Sequence, residues 1–560
     1  MGRSPIVSRA ALTALGIAFT LAVPLHGSAA GADPADHMPL GPAELITQAS
    51  APQTLAPGVT YQKFTQGHST DEWTVWVPGA NGAETISDWA AARARADALV
   101  AKGFEAHIDT FDVPAAADTA SGRVGYGVRS GRFAPGDRAG ADALKGRLAD
   151  AGFGGRVLYT AEDGRPSTGP WEVRVVRVQP TADVALKAVH GQDVAGAETV
   201  RAMAKAAGAL VAVNGSEFNL GGGAYEGMPQ GLYVQENVIL GAANNGRTAL
   251  LLDGVGGRAR VAEINTTLAV TAPNGDKQTV DGINRVPGTV LGCGGVGGDT
   301  RVVGNLVVET TLPWRNVRCA DSDETVIFRP EWGPATPSHG SGVDSIDVVM
   351  NGNWVVQSVR EPAGGPIPPG GRVLQGIGKD AVWLREHAVV GAPFKPGATI
   401  HDAAGRSVVT PALSAVAGGG PALVRGGEVW INTAANGMTQ FDGKPNNTLL
   451  QRHPRTVAGV GGSGELLLVT IDGRYEGVSV GATWPEAAEV MKWLGAQDAV
   501  GLGSGGDTTL IINDTLYNRP MDMWGTTHRE RPLSNAVAVV PRCPACTGDP
   551  AARGNSLVGP

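Results

Sequence analysis

Short polar turns that follow apolar runs contain the residues that could do chemistry, which are carboxylates, arginines and one asparagine. Asn214 and Glu217 follow "LVAV" in the turn "NGSEF", Asp472 and Arg474 follow "LLLVTI" in "DGR", and Asp507 follows "GLGSGG". Carboxylates can act as nucleophiles or as proton carriers, and arginine forks bind oxyanions. We therefore expect a site for a polar ligand where these turns meet.

The stretch "GLGSGGDTTLIIND", from Gly501 to Asp514, carries the densest of these turns. Glycine costs backbone entropy and is tolerated where a chain turns tightly or approaches a ligand. One interpretation is a hairpin turn. The other is a loop whose amides and hydroxyls hold a polar substrate. No P-loop lysine follows the glycines, so the loop is not a nucleotide cradle.

Three short buried strands are predicted to position these turns, and they end at Val213, Ile471 and Leu502. Ligands gather at such strand ends because the strand fixes an exposed turn. The segment "RHPRT", residues 452–456, joins this set. A helix over "TWPEAAEVMKWLG" is predicted to begin with a capping box of Thr483 and Glu486.

The chain divides into five predicted regions. Residues 1–30 read as a signal peptide with a basic start, an apolar core and small residues at the cleavage site, and a retained single-span anchor is the alternative. Residues 31–70 are a weakly patterned linker, and residues 71–164 repeat the order strand, helix, strand, which predicts a split-βαβ sandwich. Residues 171–541 form a larger domain with a β-rich insertion at about 258–399, and residues 542–560 form a tail.

The order and residues of 71–164 resemble a SPOR domain. The second half carries the pattern, with "YGVRSGRF" before a helix rich in Ala and Leu that ends in "LADAGF". This resemblance implies binding to peptidoglycan glycan strands. The alternative is a generic ferredoxin-like module with another role.

Residues from Trp171 to about Pro541 resemble the phosphodiester glycosidase family. The motifs in order are "AVNGSEF", "GGGPALVRGG", "PRTVAGV", "LLVTIDGRYEGVSVGATWPEAAEVMKWLGAQDA" and "GLGSGGDTT". Two departures stand out. The family's "DGGGS" is "GSGGD" here, so Gly503 holds the aspartate position and Asp507 the serine position. Glu217 stands where the family usually has an aromatic residue.

The resemblance implies cleavage of a sugar-1-phosphodiester through an oxocarbenium-like state, which a carboxylate must stabilise or assist. Asp472 is the first candidate, Asp507 the second and Glu217 the third. Arg455 is the first phosphate contact and completes the catalytic set. The predicted substrate-binding residues are Asn214, Gly215, His453, Thr456, Gly473, Arg474, Gly505, Gly506 and Thr508.

Each of these roles has a structural alternative. Asp472 could be a hairpin turn residue, Arg455 could pair with a buried acid, and Glu217 could be a surface residue. His453 could be a proton carrier or a structural loop histidine. No cofactor is certain, and no ligand spacing demands a metal, although a divalent metal near Asp472, Asp507 and Asp281 is possible.

The composition and the cysteines limit which partners and which cellular compartment can be expected. A net charge of -8 and the lack of a basic run give no reason to expect nucleic acid as a partner. Past the signal peptide, no segment is long and apolar enough to span a membrane. An exported chain favours disulfides, and four cysteines allow three pairings. Cys293 with Cys319 and Cys543 with Cys546 are preferred by proximity, with a redox or metal pair as the alternative for "CPAC".

Together these patterns predict an α+β chain, with a small split-βαβ domain before a larger mixed-sheet α+β domain of catalytic type. The predicted function is a secreted, cell-wall-associated hydrolase of a glycosyl-1-phosphodiester, targeted to peptidoglycan and acting on a sugar-phosphate polymer. The alternatives are a non-catalytic wall- or glycan-binding protein with a degenerate glycosidase-like domain, and a different phosphoester hydrolase or lyase.

Overall fold

The computed structural model describes residues 37–542, apart from 83–84, 87, 222–224, 255–257, 304, 316, 440–445 and 526–527. The predicted signal peptide, Cys543 and Cys546 therefore lie outside the described residues. Residues 34–560 fall into a single contact unit, and the domain boundaries given above stay predictions.

The chain is built mainly of β-sheet. Strands make up 40% and helices 13%, so the predicted α+β class, with its small split-βαβ domain and larger α+β domain, is wrong. The physical reason lies in the turns: the many Gly and Pro residues divide residues 171–541 into short strands that pair with one another. Five α-helices lie in the described residues: α1 Trp89–Ala101, α2 Arg138–Asp150, α3 Val200–Ala207, α4 Lys379–His387 and α5 Trp484–Trp493. Four 3-10 helices cover Thr160–Asp163, Pro330–Trp332, Asn447–Leu449 and Gly505–Asp507.

Two antiparallel sheets position the predicted turns. The first has nine strands. Eight of them follow one another in the order Thr47–Ala49, Val59–Gln66, Trp171–Val178, Leu466–Ile471, Arg455–Gly461, Ala496–Gly501, Ala422–Arg425 and Glu428–Val429. The ninth, Gln53–Ala56, pairs with Val59–Gln66. The second has five, in the order Thr515–Leu516, Leu510–Ile512, Val211–Asn214, Asn535–Pro541 and Val184–His190. The central strands of both sheets are buried on both faces, which explains their continuous apolar runs.

Two β-rich sheets fill the middle of the chain. A seven-stranded sheet contains Val238–Gly241, Tyr233–Gln235, Ser414–Ala417, Arg247–Leu252, Ala259–Thr271, Lys277–Thr279 and, paired to Ala259–Thr271, Lys395–Asp402. A five-stranded sheet contains Gly282–Ile283, Glu324–Phe328, Arg372–Ile377, Ser345–Met350 and Val356–Arg360. Gly282–Ile283 pairs with Glu324–Phe328 in parallel.

Smaller sheets complete the fold. Glu198–Thr199 pairs with Pro532–Leu533, and a four-stranded sheet runs Thr289–Leu291, Arg318–Ala320, Thr300–Val303 and Leu306–Glu309. A second four-stranded sheet runs His107–Val113, Gly122–Phe133, Trp73–Val77 and Arg156–Tyr159.

The last of these sheets is packed on both faces. Helices α1 and α2 share a core with Val75, Val77 and Val128. Trp76 and Phe111 belong instead to the large core that also contains Trp171 and Trp484. The apolar residues of this sheet therefore continue into the core of the nine-stranded sheet.

Three sequence predictions can be compared directly with the structure. The disulfide between Cys293 and Cys319 is confirmed. The capping box of α5 is confirmed, because the Thr483 hydroxyl accepts from the Glu486 amide at 3.1 Å and Glu486 accepts from the Thr483 amide at 2.9 Å. Within the described residues, no helix combines the length and apolar character that a membrane span needs.

Candidate active site

Asn214 ties the ends of the two main sheets together. Its Nδ2 donates to the Gly503 carbonyl at 2.8 Å, and its Oδ1 accepts from the Thr456 hydroxyl at 2.6 Å and the Thr509 amide at 3.1 Å. Gly215 accepts from the Gly503 amide at 2.8 Å. Buried side chains saturated in this way hold a backbone arrangement fixed, so Asn214 and Thr456 bring the predicted turns to one place.

Two glycine loops meet at that place because neither has side chains in the contact. A Cβ added to Gly419 would lie 2.6 Å from the Gly503 nitrogen. Gly505 has a φ of +72°, a left-handed conformation that glycine adopts without strain. The loop 418–420 and the loop 503–506 therefore form a common floor, which we call the glycine-loop site together with the charged residues Glu217, Arg247, Arg315, Arg455, Arg474 and Asp507.

Glu217 is the buried carboxylate with an unused oxygen in this site. Its side chain is 10% exposed and forms an ion pair with Arg315. Its Oε2 is buried and has no hydrogen-bond partner among the described residues. A buried acceptor without a partner is costly, so this oxygen has hydrogen-bonding capacity left for a water or a ligand.

Asp507 is the second buried acid of the site. Arg531 donates to its Oδ1 at 2.7 Å. Burial raises the pKa of Asp507 to about 6; the neighbouring Arg531 opposes this shift and the charge of Glu217 adds to it. A carboxyl group that titrates near neutral pH is typical of a catalytic position.

Four further arginines, in addition to Arg531, lie around these acids: Arg247, Arg315, Arg455 and Arg474. The Arg455 guanidinium stacks over Trp484 at 3.9 Å, donates to the carbonyls of Ala482 and Gln451 at 2.8 and 2.7 Å, and reaches the Ser504 hydroxyl at 3.3 Å. Burial, followed by the charges of Arg315 and Arg474, lowers the pKa of Arg455 well below its ordinary value. Holding like charges together in this way favours binding of an anion.

Arg247 and Arg315 belong to the site and were missed by sequence reasoning. Arg247 donates to the Gly418 carbonyl at 2.6 Å, and Arg315 Nε donates to the Gly419 carbonyl at 3.0 Å. Arg315 lies in the segment closed by the disulfide between Cys293 and Cys319. Only the glycine motif "GGGP" pointed to this region, because nothing in "PWRNVRC" indicates which arginine turns inward.

His453 lies against Arg474, half-buried. Its Nδ1 accepts from Arg474 Nη2 at 2.9 Å, and its Nε2 lies 3.2 Å from Gln451 Oε1. Burial, then the positive charges of Arg474 and Arg455, lower the pKa of His453 well below its ordinary value. The imidazole is therefore neutral and fixed in one tautomer, which orients Arg474.

Asp472, the first-ranked carboxylate of the sequence, has its oxygens occupied. Its Oδ2 accepts from Arg174 at 2.7 Å and its Oδ1 accepts from the Arg519 amide at 3.1 Å. Arg174 and Arg519 also bind Glu172, at 2.7 and 2.8 Å, and Lys63 binds Glu172 at 2.6 Å. We call these five residues the Asp472 cluster. Asp472 is 1% exposed.

The remaining predicted residues lie around the loops. Gly473 packs so closely that a Cβ would lie 2.7 Å from the Pro454 nitrogen. The Gly505 amide donates to the Pro454 carbonyl at 2.9 Å, and Gly506 is buried in the following 3-10 turn. Thr508 donates its amide to Gly505, and its hydroxyl is buried without a partner among the described residues. The Thr508 hydroxyl is therefore a free polar group in this region.

The described carboxylates that could share a cation lie elsewhere. Asp299, Asp321 and Glu324 each place an oxygen within 4.8 Å of the others. Glu324 already pairs with Arg285 and accepts from the Gly288 amide at 2.5 Å, and Asp299 accepts from the Gly295 amide at 2.6 Å. Burial raises the pKa of nearby Asp281 to about 7. Protein donors thus already occupy much of this acidic group.

Comparisons with known proteins show which family part of the chain matches. Residues 344–540 match the family described as phosphodiester glycosidase. The N-acetylglucosamine-1-phosphodiester alpha-N-acetylglucosaminidase of Bos taurus is 33% identical over 137 residues, which are 22% of this chain and 25% of that protein. The chain thus spans a quarter of the length of this curated relative.

Solved structures extend the similarity over nearly the whole chain. A Burkholderia pseudomallei protein that is named as exported is 30% identical, with a TM-score of 0.78, and the match covers 91% of this chain and 99% of that one. A hypothetical protein from Synechocystis shares the fold alone, at 16% identity and a TM-score of 0.51 over 89% of this chain and 76% of the other. The chain belongs to the same family as the Burkholderia protein, and its residues 344–540 match the phosphodiester glycosidase family.

Proposed function

We propose that this protein hydrolyses glycosyl-1-phosphodiesters at the glycine-loop site. The observation that carries the proposal is the unpartnered Oε2 of Glu217 beside a second buried acid and four arginines. Arg531 also contacts Asp507, so five arginines lie around Glu217 and Asp507, and the carboxylates of Asp522, Glu162 and Glu486 also interact with these arginines. Several guanidinium groups close together suit a substrate that carries a negative phosphodiester.

The reaction can be written with the groups present. Glu217 Oε2 accepts a proton from water, the water oxygen bonds to the anomeric carbon, and the bond from that carbon to the phosphate oxygen breaks. The electron pair leaves on the phosphate oxygen, giving a free sugar and a phosphomonoester. The ionised Asp507 stabilises the positive charge that develops on the sugar ring.

The arginines replace a general acid. A phosphate oxygen is a weakly basic leaving group, so it needs charge stabilisation more than a proton. Arg455 and Arg315 are held rigidly by backbone carbonyls and by Trp484, so their remaining donors are preorganised for an oxyanion. The amides of Gly418, Gly420, Gly503 and Gly505 already donate to backbone carbonyls, so these glycines contribute the shape of the floor.

An oxygen-18 assay tests the proposal. The purified mature protein is incubated with a panel of hexose-1-phosphodiesters in H2(18)O, beside Glu217→Gln, and the products are analysed by mass spectrometry. Label in the free sugar is expected, because the carbon–oxygen bond breaks. Label in the phosphate would identify a phosphoesterase instead, and no turnover across the panel would favour the non-catalytic alternative.

Export and wall association form a separate part of the proposal. The pattern of residues 1–30 and the exported name of the Burkholderia relative support export. Peptidoglycan glycan strands as a partner, and a sugar-phosphate wall polymer as substrate, rest on the sequence of residues 71–164. Retention on amidase-treated and untreated wall sacculi tests this, and equal or absent retention would remove the partner.

A further inference from the structure

A polar cavity lies beside the sheet formed by residues 73–159. It has a volume of about 290 Å³ and is lined by residues of three strands and of the segments 70–72 and 160–166. This volume is at the lower end of the range for small-molecule sites, roughly 300–1,000 Å³. None of the residues that line this cavity belongs to the glycine-loop site, so the two sites are separate.

A buried arginine with an unused nitrogen lines this cavity. Arg129 is 3% exposed and lies over Trp76 at 5.0 Å. Its Nε lies 2.5 Å from Asp109 Oδ2, and its Nη2 pairs with Asp163. Its Nη1 has no hydrogen-bond partner among the described residues and is buried. A guanidinium desolvated to this degree gains strongly from an added anionic acceptor.

A β-bulge places a second arginine on the same cavity. Residues three apart on a regular strand point to opposite faces, yet Arg129 and Arg132 both line the cavity. The register explains this, because Val75 pairs with Ser130 whereas Trp73 pairs with Phe133, so the strand Gly122–Phe133 carries one extra residue. Gly131, with a φ of +72°, takes the left-handed conformation that the bulge needs.

The acids of the cavity are largely occupied by protein donors. Asp109 accepts from Arg165 at 2.8 Å in addition to its contact with Arg129. Asp71 accepts from the hydroxyls of Thr160 and Ser167 at 3.0 and 2.6 Å. Arg129 Nη1 and Arg132 are the cavity's unused donors; the Glu72 carboxylate and threonine hydroxyls also line it, and Asp109 Oδ2 is an acceptor without a hydrogen-bond partner among the described residues.

We infer that this cavity binds a small hydroxylated anion, a monosaccharide that carries a carboxylate or a phosphate group. The anionic group lies between Arg129 Nη1 and Arg132, and the ring hydroxyls meet Glu72 and the threonines. An inorganic ion alone would leave most of the volume unfilled. This assignment does not depend on the proposed hydrolysis, because it uses none of the residues of the glycine-loop site.

Calorimetry on the full mature chain tests the assignment with glucuronate, glucose 1-phosphate and neutral glucose as probes. Arg132→Gln and Arg129→Lys are expected to weaken binding of an anionic sugar about tenfold or more, the effect of losing one charge-assisted hydrogen bond. Arg147→Gln is the matched control, because it removes an exposed arginine from α2 on the other face of the sheet. Arg315→Gln separates this binding from the glycine-loop site.

The outcomes are distinct. The site is supported if binding of the anionic sugars weakens in both cavity variants and persists in Arg147→Gln and Arg315→Gln, while glucose does not bind. The anionic probe with the higher affinity then shows whether the site prefers a carboxylate or a phosphate. Thermal unfolding checks that Arg129→Lys folds. If it does not, Arg132→Gln still tests the site, because Arg132 is exposed and its replacement leaves the fold intact. Binding that is unchanged in Arg132→Gln, or that is absent for both anionic sugars, overturns it.

Discussion

The Asp472 cluster and the glycine-loop site are both built of buried carboxylates and arginines, but they use their charges differently. In the Asp472 cluster, both oxygens of Asp472 accept hydrogen bonds, from Arg174 and from the Arg519 amide. In the glycine-loop site, Glu217 keeps one oxygen free and Asp507 has a pKa raised to about 6 by burial. A saturated ion-pair network serves the fold, whereas an unsaturated one has capacity left for a substrate.

Removing the Glu217 carboxylate is expected to have the largest effect on turnover. Glu217→Gln keeps the shape and loses the base, so kcat should fall by about 10³-fold, within the range for a positioned acid or base. Steady-state kinetics on a hexose-1-phosphodiester measures this, and circular dichroism confirms the fold. A variant that retains a tenth or more of wild-type kcat would contradict the role of Glu217.

Breaking the Asp472 cluster should act on stability instead. Asp472→Ala leaves Arg174 buried with Glu172 as its one remaining ion-pair partner in the cluster, and the loss is expected to be about 3–5 kcal/mol of unfolding free energy. Denaturant unfolding measures it, while kcat per folded molecule should stay within a few-fold. Full stability combined with lost turnover would reverse the comparison and return Asp472 to the first rank of catalytic candidates.

Arg315 sharpens the comparison because it forms a buried ion pair with Glu217 and also lies in the glycine-loop site. Arg315→Gln should raise KM for a phosphodiester substrate by about 10- to 100-fold through loss of charge-assisted bonds, with a smaller change in kcat. Arg315→Lys, which keeps the charge but not the fork, should recover part of the affinity. Equal KM values for wild type and both variants would remove Arg315 from the substrate contacts.

The smallest expected effect is a pH dependence from Asp507. The pKa of Asp507 is raised from 3.8 to about 6. Between these two pH values, the carboxyl group is therefore protonated in the folded protein and ionised in the unfolded chain. Its contribution to the free energy of unfolding therefore declines as pH rises from about 4 to 6, by at most about 1.4 kcal/mol per unit. Turnover should rise with pH through about 6, because the ionised form is the active one.

Asp507→Asn is the control for this pH dependence. In this variant, kcat/KM should no longer rise with pH near pH 6, and the free energy of unfolding should no longer decline between about pH 4 and 6. The two effects are measured by pH-rate profiles and by unfolding at several pH values. A limb that persists unchanged in Asp507→Asn would assign the titration to another group.

Local chemistry in the sequence was enough to define several parts of the molecule. The apolar runs before Asn214 and Asp472 gave the strands, Thr483 and Glu486 gave the start of α5, and the two middle cysteines gave the disulfide. The motif order resembled the phosphodiester glycosidase family, which residues 344–540 match. Such features depend on neighbours within a few residues or on fixed motif spacing, so a single sequence carries them.

Only the tertiary structure decided which charged groups remain free. Asp472 and Glu217 both follow buried strands, and nothing local shows that Arg174 occupies the first while Arg315, 98 residues further along, contacts one oxygen of the second. The α+β class was wrong because pairing of many short strands is a long-range property. Whether a buried charge is matched depends on partners brought together by folding, and sequence spacing does not contain that information.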